Sequence, residues 1–547
     1  MRKIKKMLAL VIAAVMIVGT MGMTAFAENG NLTADADVTI SGLEDKDEVD
    51  LYQVFKWTDG VGWELTDMFN TAAIAALPNI AKIIANDTAS NPIQLTKAEI
   101  EALCTQAKGK SATASGQASG DTFTKDGLAA GMYVALVAPA KAGTIYNPII
   151  VSVDYVDNTS NEINASSAVM GSDSSVAKKD TIEVEKEASD YTHNTNDYVQ
   201  FTVTTTIPVF AKSYVNPKFN VSDTLTTPGL TGVVDDTHKF EISSGDVTAT
   251  GTPSNGFTTF TLVFDSSKIA ALNTPQEVTI KYWAQVTSEA PYTVNEETND
   301  VTVEFSNNPG DDSDYDYLYD ETKHWTFDID GSLFGNSSYK TGEVVKIGVD
   351  QNGNILESEV ELSNGSSHGA LADAVFGLDP KGTTEFTDAN LYTNKNYPNG
   401  CKVTTTADGL MTIQGLDEGT YILKEISAPK GYIKDNDPHT IVISATYTEK
   451  PYTKTMSDGK TVDYKVKTLD SYTITVDGKP SSYTMTLNGP QISSVTPGDS
   501  SSEIQNTKGV ELPSTGGMGT TIFYIIGAVL VLGAGILLVT RRRMSAN

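Results

Sequence analysis

Apolar and polar residues alternate along most of the chain in short runs, which is the pattern of β-strands with one buried face. The runs YVQFTVTTTIPV, GFTTFTLVF and SYTITVDG are rich in Val, Thr, Tyr and Ile, and turn residues separate such runs. Helical spacing is limited to NTAAIAALPNIAKIIA and LTKAEIEALCTQA in the first third. The pattern predicts a mainly β protein of tandem β-sandwich domains, with some helix in the N-terminal domain.

The two ends of the chain replace this alternation with long apolar segments. Four basic residues precede the apolar run 7–18, and Ala25-Phe26-Ala27 follows it, which predicts a signal peptide over residues 1–27. Residues 521–540 carry no charge and, as a helix, are long enough to cross a hydrocarbon layer of roughly 30 Å. Three arginines (541–543) follow directly, so we expect everything before this helix to lie outside the cell.

Polar junctions divide the remaining chain, which is too long for a single core. GSDSSVAKKD (171–180) and GSLFGNSSYKTGE (331–343) are typical of such junctions, and the acidic GDDSDYDYLYDE (310–321) is interpreted as a solvated loop. GLAAGMYVALVAP and GLDEGTYILKEISAP share Gly-Leu-x-x-Gly-x-Tyr and a closing Ala-Pro, which indicates related folds in the first and last domains. We predict an N-terminal domain over 28–178, a middle domain over 179–342, a C-terminal domain over 343–508 and a sorting segment over 509–547.

The acidic composition limits the partners of the protein. The 547 residues carry a formal net charge of −30, and removing the seven basic residues at the two ends changes it to −37. Such a surface is a poor partner for nucleic acid or anionic lipid, and its carboxylates are interpreted as solubilising. Cys104 and Cys401 are the only cysteines and lie far apart in sequence, so any covalent reinforcement uses other residues.

Several charged and amide residues fall on the apolar faces of predicted strands, because strand residues of equal parity share a face. Two sets of this kind occur, each with one lysine, one acid and one asparagine. The sets are Lys186, Asp223 and Asn307 in the middle domain, and Lys346, Glu425 and Asn506 in the C-terminal domain.

Burying these groups without partners costs several kcal/mol each, so the members of each set are expected to contact one another. They could form an ordinary buried ion pair hydrogen-bonded to the amide. Alternatively, they could react, because burial lowers the pKa of a lysine and raises that of a carboxylic acid. The neutral amine could then attack the asparagine carboxamide while Asp223 or Glu425 shuttles protons, and an intramolecular isopeptide bond would form as ammonia leaves.

The five residues before the apolar helix narrow the possibilities for the tail, which could otherwise be that of a single-span receptor. Leu512, Pro513, Ser514, Thr515 and Gly516, followed by the helix and the arginines, resemble the LPxTG sorting signal of Gram-positive surface proteins. The resemblance implies that a sortase cleaves after Thr515 and joins its carbonyl to an amine. Proline presents an extended peptide, and glycine leaves room at the scissile bond.

Longer segments resemble the sortase-assembled backbone pilins of Gram-positive bacteria. VVKIGVD, GALADAVFGL, GLDEGTYILKEISAPKGY and EIQNTKGVELPSTGG are similar to their C-terminal Cna B-type domain, and IEVEKEA, NVSDTL and VEFSNNP to their middle domain. The resemblance implies immunoglobulin-like and Cna B-type sandwiches, with Lys186–Asn307 and Lys346–Asn506 as the bonded pairs. Val137 stands where the corresponding strand of the C-terminal domain has Glu425, so we expect no such bond in the first domain.

In that family a lysine near the end of the first domain accepts the next subunit, usually within a Tyr-Pro-Lys motif that this chain lacks. Lys178 and Lys179 lie at the expected junction and are the preferred acceptors, although both could be ordinary linker charges. Lys218 follows a proline and remains an alternative.

The combined interpretation is a structural backbone subunit of a cell wall-anchored surface pilus that supports adhesion. The implied partners are a sortase, identical subunits, minor pilins, peptidoglycan and a host or surface ligand. A monomeric wall-anchored adhesin or a minor pilin remains the alternative. We expect no enzyme activity on other molecules, no cofactor and no metal site, because the sequence lacks a catalytic or metal-ligand pattern beyond the two sets.

Overall fold

The computed structural model describes residues 36–58, 61–85, 87, 93–129, 131–152, 162–163, 173–214, 216–225, 229–287, 296–309, 313–329, 344–356, 359–361, 367–380, 390–394, 396–407, 409–497, 502–509 and 518–544. Strands dominate these residues, which confirms the mainly β prediction. The predicted signal peptide and the LPSTG motif lie outside them. The chain forms two compact units: the first holds 1–326, 446–470 and 485–494, and the second holds 327–445, 471–484 and 495–547.

The first part of unit one combines short sheets with the helices that the sequence predicts. Its elements are β1 (Ala36–Ser41), β2 (Glu48–Gln53), β3 (Phe55–Thr58), β4 (Gly62–Leu65), α1 (Ala72–Ala75), α2 (Pro78–Ile84), β5 (Ile93–Gln94), α3 (Lys97–Ala107), β6 (Ala114–Gln117), β7 (Thr122–Leu128), β8 (Met132–Ala138), β9 (Thr144–Tyr146), β10 (Ile149–Ser152), β11 (Glu162–Ile163), β12 (Asp173–Val176) and β13 (Lys179–Thr181). Sheets β12-β1-β7 and β10-β8-β2-β6 form its main layers.

Strand β8 is buried on both faces and therefore shapes two cores. Met132, Val134 and Leu136 pack among the helices, whereas Val137 and its same-face neighbours pack between the sheets. Helix α3 begins with a capping box, in which Thr96 and Glu99 satisfy each other's backbone N–H groups. An acid at position 137 would lie inside an apolar cluster, so valine suits this strand.

The rest of unit one is a two-layer sandwich. Its elements are β14 (Val184–Ala188), β15 (Tyr198–Ile207), β16 (Phe219–Leu225), β17 (Leu230–Val233), β18 (Glu241–Ser243), β19 (Ala249–Thr250), β20 (Thr259–Phe264), α4 (Ser266–Ile269), β21 (Gln276–Val286), β22 (Glu297–Ser306) and β23 (Tyr315–His324). One sheet has the order β14-β15-β21-β17, with β18 also on β21, and the other has the order β19-β20-β16-β22-β23. Their facing apolar residues form one large core.

The acidic segment 310–321 does not form the solvated loop that its composition suggests. Its described residues from Tyr315 onward belong to β23, which pairs along its full length with β22. Leu318 and Tyr319 are buried and contribute to the sandwich core. Strand pairing and these two apolar contacts outweigh the unfavourable charge of the segment.

The remaining elements belong to unit two, except for the hairpin tips 446–470 and 485–494, which belong to unit one. They are β24 (Phe327–Ile329), β25 (Val344–Val349), β26 (Glu359–Glu361), β27 (Ser367–Gly369), β28 (Val375–Leu378), β29 (Lys402–Thr404), β30 (Ile413–Leu416), β31 (Gly419–Ser427), β32 (His439–Thr455), β33 (Thr461–Val476), β34 (Lys479–Asn488), β35 (Gln491–Pro497), β36 (Ser502–Thr507) and α5 (Met518–Met544). Strands β29-β28-β31-β32-β33-β34-β35 form a sheet, and β25 pairs with β36. Residues Ile522–Met544 of α5 are long and apolar enough to cross a membrane.

Strand partners change close to the predicted domain junctions. Strand β13 still pairs with β9 of the first domain, whereas β14 pairs with β15 of the sandwich. Strand β24 pairs with β30 in unit two, although it precedes the predicted junction at residue 342. The domain bounds stated above stay a prediction.

Candidate functional site

The three polar residues singled out in the C-terminal domain meet inside unit two. The side chains of Lys346 and Glu425 are fully buried, and the Lys346 ammonium nitrogen lies 3.6 Å from Glu425 Oε1. The Asn506 amide Nδ2 donates to the same carboxylate oxygen at 2.8 Å. The backbone N–H of Asp435 donates to Glu425 Oε2 at 2.6 Å. One carboxylate thus contacts both an amine and a carboxamide.

Strand pairing explains this convergence. Strands β25 and β36 are parallel, and Gly348 is paired with Asn506. Lys346 lies two residues earlier on β25 and therefore on the same face as Gly348. Strand β31 places Glu425 opposite Phe376 of β28, and the Lys346 ammonium lies 5.2 Å from the centre of the Phe376 ring.

The environment of Lys346 shifts its ammonium group towards the neutral amine. Burial lowers the pKa of Lys346 to about 8, although the nearby Glu425 carboxylate opposes the shift. No described residue accepts a hydrogen bond from its Nζ, and none donates to Asn506 Oδ1. The amine and the carbonyl are therefore available to each other rather than committed to other partners.

A second buried site lies in the sandwich of unit one. Lys186 of β14 is ion-paired with Asp223 of β16, and both side chains are almost completely excluded from solvent. The Lys186 ammonium also donates to the Tyr282 hydroxyl at 2.8 Å. Burial lowers the pKa of Lys186 and raises that of Asp223, which brings the pair closer to the neutral amine and neutral acid.

The amide at this second site belongs to Asn299, which the sequence interpretation missed. Asn299 of β22 is fully buried, and its Nδ2 donates to the Tyr282 hydroxyl at 2.8 Å. Its Oδ1 accepts no hydrogen bond from any described residue. Asn299 has the same strand parity as Val301, so the alternation that drew attention to Asn307 marks it equally.

The structure does not bring Asn307 to this site. Asp223 is paired with Val301, so Asn299 lies two residues from that pair and Asn307 lies six residues away on the opposite side. At about 3.4 Å per strand residue, Asn307 is displaced by about 20 Å along β22. Its backbone carbonyl instead accepts a hydrogen bond from Tyr214. The assignment of Asn307 to the reacting set is therefore wrong.

Other buried groups do not form a third complete set in the residues that the structure describes. The described part of the first domain, within 36–181, has no buried lysine. Its buried Asp47 accepts hydrogen bonds from Tyr146 and from backbone N–H groups. Lys323 in β23 is buried, but it lies 2.7 Å from Glu296 and donates to a backbone carbonyl.

The three candidate acceptor lysines have different surroundings. Lys178 is exposed, and its backbone carbonyl accepts a hydrogen bond from Asn147. Lys179 is ion-paired with Glu44. Lys218 lies 2.8 Å from Glu304 and 4.0 Å from the centre of the Tyr315 ring. Among these described lysines, Lys178 has the least constrained ammonium group.

Three family models match separate parts of the chain. The T6 antigen Ig-like domain matches residues 33–179, the SpaA prealbumin-like fold domain matches 358–460, and the LPXTG cell wall anchor motif matches 504–545. The last match includes the LPSTG residues and supports the predicted sorting segment. The first two place an Ig-like domain on the N-terminal β region and a prealbumin-like domain on the C-terminal β region.

Comparisons with individual proteins agree with these matches. The trypsin-resistant surface T6 protein of Streptococcus pyogenes serotype M6 is 26% identical over 474 residues, which cover 77% of this chain and 81% of the relative. The collagen adhesin of Staphylococcus aureus is 24% identical over 46% of this chain and 20% of its own length. The solved T6 backbone pilin has a TM-score of 0.54 at 18% identity and covers 87% of this chain and 98% of its own. The last likeness confirms the fold.

Proposed function

We propose that this homologue of Gram-positive pilins, a surface protein with a cell wall anchor, is the backbone subunit of a covalently assembled pilus. The observation that carries the proposal is the buried contact of Lys346 and Asn506 with one oxygen of Glu425. An ordinary ion pair does not account for this arrangement, because the Asn506 carbonyl and the Lys346 amine have no hydrogen-bond partner among the described residues. The arrangement is well suited to joining the lysine to the asparagine.

The joined pairs are Lys346–Asn506 and Lys186–Asn299. In each, the neutral lysine amine attacks Cγ of the asparagine, a bond forms between Nζ and Cγ, and the bond from Cγ to Nδ2 breaks. The amine proton passes through the neighbouring acid to Nδ2, which leaves as ammonia. Glu425 and Asp223 act as these acids, and no cofactor or metal takes part.

These bonds stabilise the two sandwiches much as disulfides do, without depending on cysteine. A cross-link that closes a loop of this length removes enough entropy from the unfolded chain to contribute about 5 kcal/mol in the chain-entropy model. The protein then acts mechanically, as a structural fibre component that modifies only itself. Its function in the fibre is to hold the assembly together and support attachment to a host or other surface ligand.

Assembly uses the segment that follows the second site. A sortase cleaves between Thr515 and Gly516 and transfers Thr515 to Lys178 of the next identical subunit. Lys178 is exposed at the end of the first domain, and its ammonium has no ion pair among the described residues, which supports this choice over Lys179 and Lys218, since these pair with Glu44 and Glu304. Minor pilins join the fibre, and peptidoglycan anchors its base. A monomeric wall-anchored adhesin remains the alternative function, and it predicts that wall extracts contain no high-mass ladder in denaturing gels.

The test of the cross-links is the intact mass of the secreted protein, combined with peptide mapping. We expect the mass to be lower than that of the sequence by two ammonia molecules. The Asn299→Ala variant should lose only one ammonia molecule. The matched control, Asn307→Ala, should still lose two. The unmodified mass in the parent protein would reject the cross-link proposal, whereas an effect of Asn307→Ala alone would reject the choice of Asn299.

A further inference from the structure

The hydroxyl of Tyr282 contacts all three reacting groups of the unit-one site. It accepts hydrogen bonds from Lys186 Nζ and Asn299 Nδ2, each at 2.8 Å, and donates to Asp223 Oδ1 at 2.8 Å. A phenolic hydroxyl has one proton and two lone pairs, so these contacts use its full hydrogen-bonding capacity. The two nitrogens can be separated by no more than twice 2.8 Å.

The unit-two site has a different arrangement. There Asn506 Nδ2 donates directly to Glu425, without an intervening hydroxyl. The acid in unit one is an aspartate, which is one methylene shorter than glutamate. Asp223 contacts Lys186 directly but reaches Asn299 through Tyr282. The Tyr282 hydroxyl thus connects the acid to the amide in unit one, whereas the longer Glu425 side chain reaches the amide directly in unit two.

We propose that Tyr282 is a catalytic residue of the Lys186–Asn299 cross-link, in which its hydroxyl carries the proton from Asp223 to the departing nitrogen of Asn299. This inference rests on the proposed function, because it concerns the same bond. It adds a fourth residue to the reacting set and distinguishes the chemistry of the two domains.

The proton path balances at every step. Lys186 gives one proton to Asp223 and becomes a neutral amine that attacks Cγ of Asn299. As the bond from Cγ to Nδ2 breaks, Asp223 returns a proton to the Tyr282 oxygen and the Tyr282 hydroxyl proton passes to Nδ2. The second proton that the amine must lose goes to Asp223, which ends the reaction as the neutral acid. The products are the amide and one ammonia.

The position of the ring is fixed independently of its hydroxyl. Tyr282 is fully buried and stacks on Phe201 at 5.3 Å between ring centres, and Phe260 meets it edge to face at 5.3 Å. Burial and the adjacent Asp223 raise the pKa of Tyr282 well above its usual value, so the hydroxyl keeps its proton. Phenylalanine at this position would retain the ring packing and remove the hydroxyl together with its three hydrogen bonds.

The experiment compares the full-length secreted protein with its Tyr282→Phe variant by intact mass and peptide mapping. We expect the parent to lose two ammonia molecules and the variant to lose one, with Lys186 recovered unmodified and Lys346 still joined to Asn506. In freshly translated chains, the Lys186–Asn299 bond should form at least about 100-fold more slowly in the variant. The unit-two bond provides an internal control for the chain and for its handling.

A rescue variant separates the relay from a structural effect. Combining Asp223→Glu with Tyr282→Phe supplies a longer acid, as in unit two, and should restore the loss of the second ammonia. Formation of the bond in Tyr282→Phe at the parent rate would overturn the inference. Tyr282→Phe could melt at a lower temperature than Asn299→Ala, which also lacks the cross-link, and this would indicate a structural effect of the substitution. In that case the variant with both Asp223→Glu and Tyr282→Phe is decisive. A Lys186–Asn299 bond in this double variant supports the relay, and the absence of that bond overturns the inference. If the parent itself lacks the Lys186–Asn299 bond, the proposed function fails instead.

Discussion

The side chain of Lys179 is ion-paired with Glu44, a residue 135 positions earlier in the chain. Both Lys178 and Lys179 are exposed, but only the Lys179 ammonium has an ion-pair partner among the described residues. A sortase needs a lysine that can enter its active site as a free amine. The ion pair therefore distinguishes two neighbouring lysines that cannot be told apart from the sequence alone.

We predict that Lys178→Ala abolishes polymerisation and that Lys179→Ala preserves it. The measurement is the high-mass ladder of wall extracts in denaturing gels from cells that express each variant. Lys179→Ala is the matched control, because it removes the same charge one residue away. A ladder that persists in Lys178→Ala and disappears in Lys218→Ala would move the acceptor to the alternative site.

The Lys346–Asn506 bond should account for much of the stability of unit two. Asn506→Ala prevents its formation, and we expect the free energy of unfolding of this unit to fall by about 5 kcal/mol. Calorimetric melting of the full secreted chain measures the change. Asn436→Ala removes an exposed asparagine from the same unit and should leave the transition in place. Equal melting of Asn506→Ala and the parent would show that no bond had formed.

Formation of the same bond should depend on pH through the amine. Because burial lowers the pKa of Lys346 to about 8, the neutral fraction rises as pH increases through this value. The rate in freshly translated chains should therefore increase from pH 6 to pH 9, with a midpoint about 8. The cross-linked form is identified by its faster migration in denaturing gels. A rate that is constant or falls across this range would contradict the assignment of Lys346 as nucleophile.

The hairpin tip of residues 446–470 should stabilise the sandwich of unit one. Val462 is buried within the sandwich core, and the Lys454 ammonium lies 3.6 Å from the centre of the Tyr319 ring. Val462→Ala should lower the free energy of unfolding of unit one by about 2 kcal/mol through the cavity that it creates. Val263→Ala, at a position 47% exposed in the same sandwich, is the control and should have little effect. Equal melting of the two variants would mean that the tip is not docked in solution.

Alternation of polarity predicted the fold class, and it drew attention to five residues, Lys186, Asp223, Lys346, Glu425 and Asn506, that the structure buries. Parity determines which face of a strand a residue occupies, and it correctly predicted that Lys186, Asp223 and Glu425 are buried. It does not determine register, so Asn299 in β22 and Asn307 just beyond its end, which have the same parity, could not be distinguished. Only the pairing of Asp223 with Val301 separates them.

Two other features had no usable signal in the sequence. Tyr282 lies in an ordinary apolar strand pattern, and nothing in that pattern indicates that its hydroxyl meets three reacting groups. The sequence analysis did not predict strand β23, because a segment rich in acidic residues is expected to be exposed when its neighbours in the fold are unknown. In both places a contact distant in sequence decides the structure.

The parallel pairing of β25 with β36 affects how a fibre would bear tension. Force transmitted through Thr515 pulls on the end of β36, while force from the preceding domain pulls on the start of β25, so the strands are loaded in shear. A Lys346–Asn506 bond would route that force directly from one strand to the other. The covalent path that carries the load would then bypass residues 347–505, and the domain could be stretched only slightly before the covalent chain itself resisted.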